Sequence, residues 1–229
     1  MTDYESALRA MEHLLDAVGE THWRDWIRQD LREWEATGTA GHHLSAYGGM
    51  GSFTDVVLCR ANGHQITDAQ APWVERLFQD LQSVCYYLAN HVGKRTSTSA
   101  LVRSMGTVGT SLDGWRCLHC GHREVTPKDI DRYLAYHRVR HDIIAAYKGG
   151  VLGRLIDQVL ALDFPDLPEA RRVVADAART SGISVREREG WMRPCPKCRS
   201  NDTAVCYWAK ARRHGAFRLV NRPFASGTT

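Results

Sequence analysis

Apolar positions recur every three or four residues through the first part of the chain, the spacing of helices with one buried face. Leu8, Met11, Leu14, Leu15 and Val18 form one such stripe, and Gly19 stops it. Trp23, Trp26, Ile27, Leu31 and Trp34 form a second that closes near Thr37-Gly38, and tryptophans at this spacing read as core anchors. Trp73, Leu77, Phe78, Leu81, Val84, Cys85 and Leu88 predict a third helix over about 68–90. Between them the period changes: Val56-Val57-Leu58-Cys59, an Asn62-Gly63 turn and Gln65-Ile66-Thr67 predict a short β-hairpin. Farther along, helices are expected over 127–147, 151–162 and 167–178, and Thr203–Trp208 has the composition of a strand. The pattern as a whole predicts an α+β chain, predominantly helical.

Two cysteine hooks interrupt this pattern. The first is Trp115-Arg116-Cys117-Leu118-His119-Cys120-Gly121, and the second is Arg193-Pro194-Cys195-Pro196-Lys197-Cys198-Arg199. A CxxC turn puts two thiolates on one side of a tight loop, and two such turns supply the four soft ligands of a tetrahedral Zn2+ site. Cys117, Cys120, Cys195 and Cys198 are therefore the expected ligands of a structural zinc ion. Together the hooks resemble the two halves of a zinc ribbon, with one departure: 74 residues separate them, and about 126–182 of these read as an inserted helical subdomain. A rival ligand set is Cys117, Cys120, His137 and His141, because His137-x-x-x-His141 lies on a predicted helix behind the first hook. A third spelling, His122-Arg123-Glu124 with Pro194-Cys195-Pro196-Lys197-Cys198, matches the HxE and PCxxC pattern of zinc nucleobase deaminases, in which Glu124 would shuttle protons. Those sites need each motif at the start of a helix, and here Glu124 leads into Val125-Thr126-Pro127.

The stretch Ala46-Tyr47-Gly48-Gly49-Met50-Gly51-Ser52-Phe53-Thr54-Asp55-Val56-Val57-Leu58 is the most distinctive segment of the first half. With the tryptophan-bearing helix before it and the amphipathic helix after it, it resembles a family of small bacterial domains that share a YGGMGSF-(Asn/Thr)-Asp segment. The resemblance covers about residues 5–91 and implies a domain boundary, without a mechanism. The glycine cluster lacks the Lys-Ser/Thr ending of a phosphate-binding P-loop. His42, His43, Tyr47, Ser52 and Asp55 surround it and are the expected rim of any pocket in this half.

Charge divides the chain in the same way. Residues 1–93 carry 6 Lys+Arg and 13 Asp+Glu, net −7, and residues 94–229 carry 24 and 13, net +11, which together give the overall +4. An acidic α+β domain (1–92), a Ser/Thr/Gly-rich linker (93–113) and a basic zinc-ribbon-like domain (114–229) are the expected organisation. Arg193, Lys197, Arg199, Lys210, Arg212 and Arg213 lie around or beyond the second hook, interleaved with Trp191, Tyr207, Trp208 and Phe217. Cations that meet phosphates beside aromatics that stack on bases suit a nucleic-acid partner. An acidic protein surface, as in an immunity or defence component docking through the ribbon, is the alternative. No apolar run approaches the ~20 residues of a membrane span, and seven cysteines make a poor disulfide framework, so a cytoplasmic, metal-binding and non-enzymatic protein is expected.

Overall fold

The computed structural model describes residues 2–94, 97–105, 110–187, 194–210 and 217–220, the side chains of Lys210 and Val220 excepted. The helices are α1 (Asp3–Ala17), α2 (Thr21–Thr37), α3 (Gly41–Ser45), α4 (Ala71–Ala89), α5 (Thr98–Ser104), α6 (Pro127–Gly149), α7 (Leu152–Ala161) and α8 (Leu167–Thr180). The strands are β1 (Leu112–Cys117), β2 (Arg123–Val125), β3 (Ser184–Val185), β4 (Thr203–Lys210) and β5 (Phe217–Val220). The fold is α+β and predominantly helical. Among the described residues no helix is long and apolar enough to cross a membrane.

The chain divides into two compact units, each assembled from two segments: Met1–Thr107 with Arg138–Phe164, and Val108–His137 with Pro165–Thr229. α6 thus begins in the second unit and ends in the first.

In the first unit α1 packs against α2, α4 and α7. Its stripe residues Leu8, Met11, Leu14 and Leu15 are fully buried, as are Ile27 of α2 and Phe78 and Leu81 of α4. The start of α2 is fixed by Glu20, whose Oε1 accepts the backbone N–H of His22 (3.1 Å) and Trp23 (3.3 Å). The other carboxylate oxygen of Glu20 bonds His64 Nε2 at 3.0 Å. The expected hairpin over 56–67 does not form. Val57 is half exposed, no strand lies beside it among the described residues, and the segment instead makes short 3-10 turns at Phe53–Asp55 and Arg60–Asn62. Two short runs without a third strand or a shared apolar face have too little to hold them extended. The Asn62 side chain donates to the Val57 carbonyl at 2.9 Å and closes the turn.

The second unit is built on a five-stranded sheet of order β3-β2-β1-β4-β5. β2 and β3 run parallel, and the other neighbours are antiparallel. One face of the sheet is covered by Ile130 and Tyr133 of α6 and Val174, Ala175 and Ala178 of α8, which enclose Leu112, Val125, Trp208 and Phe217. Trp208 is the largest side chain in this core, and Gly114 of β1 makes room for its ring. A Cβ at Gly114 would lie 2.8 Å from the Trp208 ring, 2.6 Å from Val125 Cγ1 and 2.5 Å from the Glu124 carbonyl oxygen. Because two of these neighbours are a strand backbone and a packed indole, Gly114→Ala is expected to cost about 1–3 kcal/mol. Denaturant unfolding of the variant, followed by tryptophan fluorescence, checks this; an unchanged midpoint would refute the close approach.

Candidate metal centre

β1 ends on Cys117, and its antiparallel partner β4 begins at Thr203, directly opposite. The first hook occupies the β1–β2 turn and the second immediately precedes β4, so pairing of β1 with β4 brings both hooks to one end of the sheet. The Leu118 N–H donates to the Asp202 carbonyl at 2.9 Å and ties the two turns together.

The hooks share one backbone scheme. In the first, the Cys117 N–H donates to the His122 carbonyl (2.8 Å) and the Gly121 N–H donates back to the Cys117 carbonyl (3.0 Å). In the second, the Cys195 N–H donates to the Ser200 carbonyl (2.8 Å) and the Arg199 N–H donates back to the Cys195 carbonyl (2.8 Å). The residue after each second cysteine is left-handed, with φ 71° at Gly121 and 64° at Arg199. Glycine takes this conformation without steric cost, whereas arginine gives up roughly 1–2 kcal/mol there. Such a residue persists only where its surroundings fix it. Here the paired hydrogen bonds of the turn do so.

The four sulfurs lie within 4.8 Å of one another. Cys117 Sγ is 3.6 Å from Cys198 Sγ, and Cys120 Sγ is 3.6 Å from Cys195 Sγ. A disulfide would need about 2.05 Å. A tetrahedron with metal–sulfur bonds of about 2.3 Å has edges of about 3.8 Å, close to what is found. Cys117 and Cys195 are fully buried, and Cys120 and Cys198 are partly so.

The electrostatics of the second hook suit a cation site. Burial opposes ionisation of Cys195, but the backbone N–H groups of Cys198 and Lys197 and the adjacent thiols outweigh it and bring its pKa down to about 6. At Cys198 the Ser200 N–H favours the thiolate, yet burial and the three neighbouring sulfurs push it up to about 12. Four clustered thiols cannot all be anionic by themselves, and a bound cation is what lets them be. The residues present therefore fit a metal ion, and these four cysteines could hold one.

The other candidate residues fall elsewhere. His137 packs its ring against Tyr133 and Tyr136, with centroids 4.5 and 5.0 Å away. The His141 side chain is 81% exposed and its Nδ1 contacts Asp142 at 3.1 Å. Neither histidine belongs to the sulfur cluster. Glu124 lies on strand β2, buried, with His122 Nε2 3.3 Å from its Oε2. His122 also stands outside the cluster, and four sulfurs on one ion leave no position for a reactive water. Lys197 and Arg199 are exposed on the second hook. Arg193, Arg212 and Arg213 lie outside the described residues, as does the side chain of Lys210.

Of the residues around the glycine-rich loop, three come together through one that sequence reasoning missed. The Asp30 carboxylate, with a fully enclosed side chain, bonds His42 Nδ1 through Oδ1 (2.5 Å) and His43 Nδ1 through Oδ2 (2.7 Å). His43 Nε2 meets the Tyr47 hydroxyl at 3.1 Å, and burial raises the Tyr47 pKa well above its ordinary value. A signal was present: Asp30 stands on the apolar stripe of α2 between Ile27 and Trp34, where an acid needs a partner. Ser52 and Asp55 serve the loop itself. Asp55 Oδ2 accepts the N–H of Gly51 (2.7 Å) and Ser52 (3.2 Å), and the Ser52 and Thr54 hydroxyls bond each other at 2.7 Å.

A family model described as a domain of unknown function (DUF6966) matches residues 16–67. The matched stretch contains Asp30, His42, His43, Tyr47 and the glycine-rich loop, and all four clustered cysteines lie outside it. No curated protein and no solved structure matches the chain.

Proposed function

We propose that the four cysteines hold a structural zinc ion in a ribbon-like module, and that this module binds nucleic acid. The zinc reading rests on the twin turns and the near-tetrahedral sulfur spacing. With its coordination filled by thiolates, the ion would act as a fastener for the β1–β4 end of the sheet and take no part in a reaction. None of the seven cysteines is in a disulfide, which suits a reducing compartment such as the cytoplasm.

The observation that carries the nucleic-acid reading is the sheet face opposite the Trp208 core. Alternation along β4 turns Val205 and Tyr207 onto that face, and register adds Trp115 of β1 beside Val205 and Arg218 of β5 beside Ala209. Val205 is 60% exposed. Acids on the same face are engaged: Glu124 with His122, and Asp113 with the Ser111 hydroxyl at 3.0 Å. Partly exposed Trp115 and Tyr207 beside exposed Val205 and Arg218, with exposed Lys197 and Arg199 at the hook end, suit stacked bases and phosphates.

Fluorescence anisotropy with labelled single- and double-stranded oligonucleotides over a salt series tests the reading. Affinity should fall steeply with salt, and Tyr207→Ala with Arg218→Ala should weaken it by about 1–3 kcal/mol for each base stacked. Absence of binding at low salt, or binding indifferent to both salt and these substitutions, would sink the proposal.

A further inference from the structure

A buried carboxylate needs compensation, since an unpaired charge away from water costs several kcal/mol. Asp30 finds it in two imidazoles and, among the described residues, in no Lys or Arg: each carboxylate oxygen faces one Nδ1. An Nδ1–H that donates to a carboxylate leaves the lone pair of a neutral imidazole on Nε2. For His43 that atom is taken up by the Tyr47 hydroxyl. For His42 it has no hydrogen-bond partner among the described residues and is not enclosed, in a side chain that is 31% exposed.

The His42 ring and its backbone are both anchored. The ring stacks on Trp26 with centroids 4.4 Å apart and planes 26° from parallel. Its own backbone N–H donates to Glu33 Oε2 at 2.9 Å, and its carbonyl accepts the Ser45 hydroxyl at 2.7 Å. The result is a fixed imidazole, backed by an anion, that offers a basic nitrogen to solvent. This is the arrangement by which a positioned histidine takes a proton from water.

We propose that His42 is a general base in a hydrolytic site of the first unit, with Asp30 as its positioning residue and small carboxylic esters, uncharged or cationic, as its substrates. In the step, a water oxygen bonds the ester carbonyl carbon while its proton passes to His42 Nε2. The carbonyl–alkoxy bond then breaks, and the leaving oxygen receives that proton, so ester and water become acid and alcohol. Anionic electrophiles such as phosphate esters are disfavoured by Asp30 and Glu33 beside the imidazole.

The full chain assayed with p-nitrophenyl acetate tests this. His42→Gln should lower the protein-dependent rate by about 10²-fold or more. Asp30→Asn should lower it comparably, and Asp30→Glu should recover part of the loss, with both Asp30 variants matched in thermal unfolding. Site-resolved modification by diethyl pyrocarbonate supplies a measurement independent of turnover, because His141 is far more exposed and serves as an internal reference. Faster modification at His42 than at His141, abolished selectively in Asp30→Asn, is the expected result. Equal rates at the two histidines, or ester hydrolysis unchanged in His42→Gln, would overturn the proposal.

Discussion

With a zinc ion held as proposed, Cys195→Ser is expected to release it and to unfold the sheet end at which the hooks meet. Serine keeps the size of the side chain but cannot supply a soft thiolate. The remaining three sulfurs would then compete for protons and metal in a half-buried cluster. Metal binding to such sites is largely folding free energy, on the order of 10 kcal/mol for small structural zinc modules near neutral pH. Loss of one ligand should therefore remove several kcal/mol from the second unit. Elemental analysis should find stoichiometric zinc in the parent protein and in Cys59→Ser, whose thiol lies in the other unit, and little in Cys195→Ser. A chelator should reproduce the effect, and metal affinity should fall with decreasing pH because the ligands bind protons instead. Undiminished metal in Cys195→Ser would refute the four-sulfur site and favour Cys117, Cys120, His137 and His141.

The largest effect expected in the first unit is at Asp80. Its side chain is fully buried on α4, and Oδ1 accepts from Arg76 Nη2 one turn earlier (2.5 Å) and from Arg140 Nη2 of α6 (3.0 Å). Arg140 Nη2 also donates to the Met105 carbonyl. Both guanidinium groups are themselves almost entirely buried. Asp80→Asn preserves shape and removes a buried charge that these two arginines share, so a loss of about 3–5 kcal/mol is expected. Replacing all three residues together by apolar ones of similar volume should restore most of that stability, because the cost lies in the stranded charges. Urea unfolding of the single and triple variants decides the matter: a single variant within 1 kcal/mol of the parent would show that the triad is not a unit.

The hooks were legible because metal ligation is written in local spacing. A CxxC turn needs only its own residues to present two thiolates, and Gly121 after the first marks the left-handed position. The second hook hid that position behind Arg199, which no propensity would select. The long helices were legible from their periodicity, which burial of Leu8, Met11, Phe78 and Leu81 satisfies directly. The 56–67 segment misled because a strand is defined by its neighbour, and Val57 has none. Asp30 was overlooked for the same reason: its role depends on His42 and His43, a helix away. The parallel pairing of β2 with β3 was equally silent, since three and two residues carry no readable alternation.

The separation of the hooks sets an order of events during synthesis. Cys117 and Cys120 leave the ribosome as a two-thiol half-site, and Cys195 follows 75 residues after Cys120. At roughly 5–20 residues per second this interval lasts about 4–15 s. Over that time the segment Arg138–Phe164, destined for the other unit, is made in full. The nascent first pair must therefore wait, open to thiophilic ions and to oxidants, until a turn that has not yet been translated arrives to complete it.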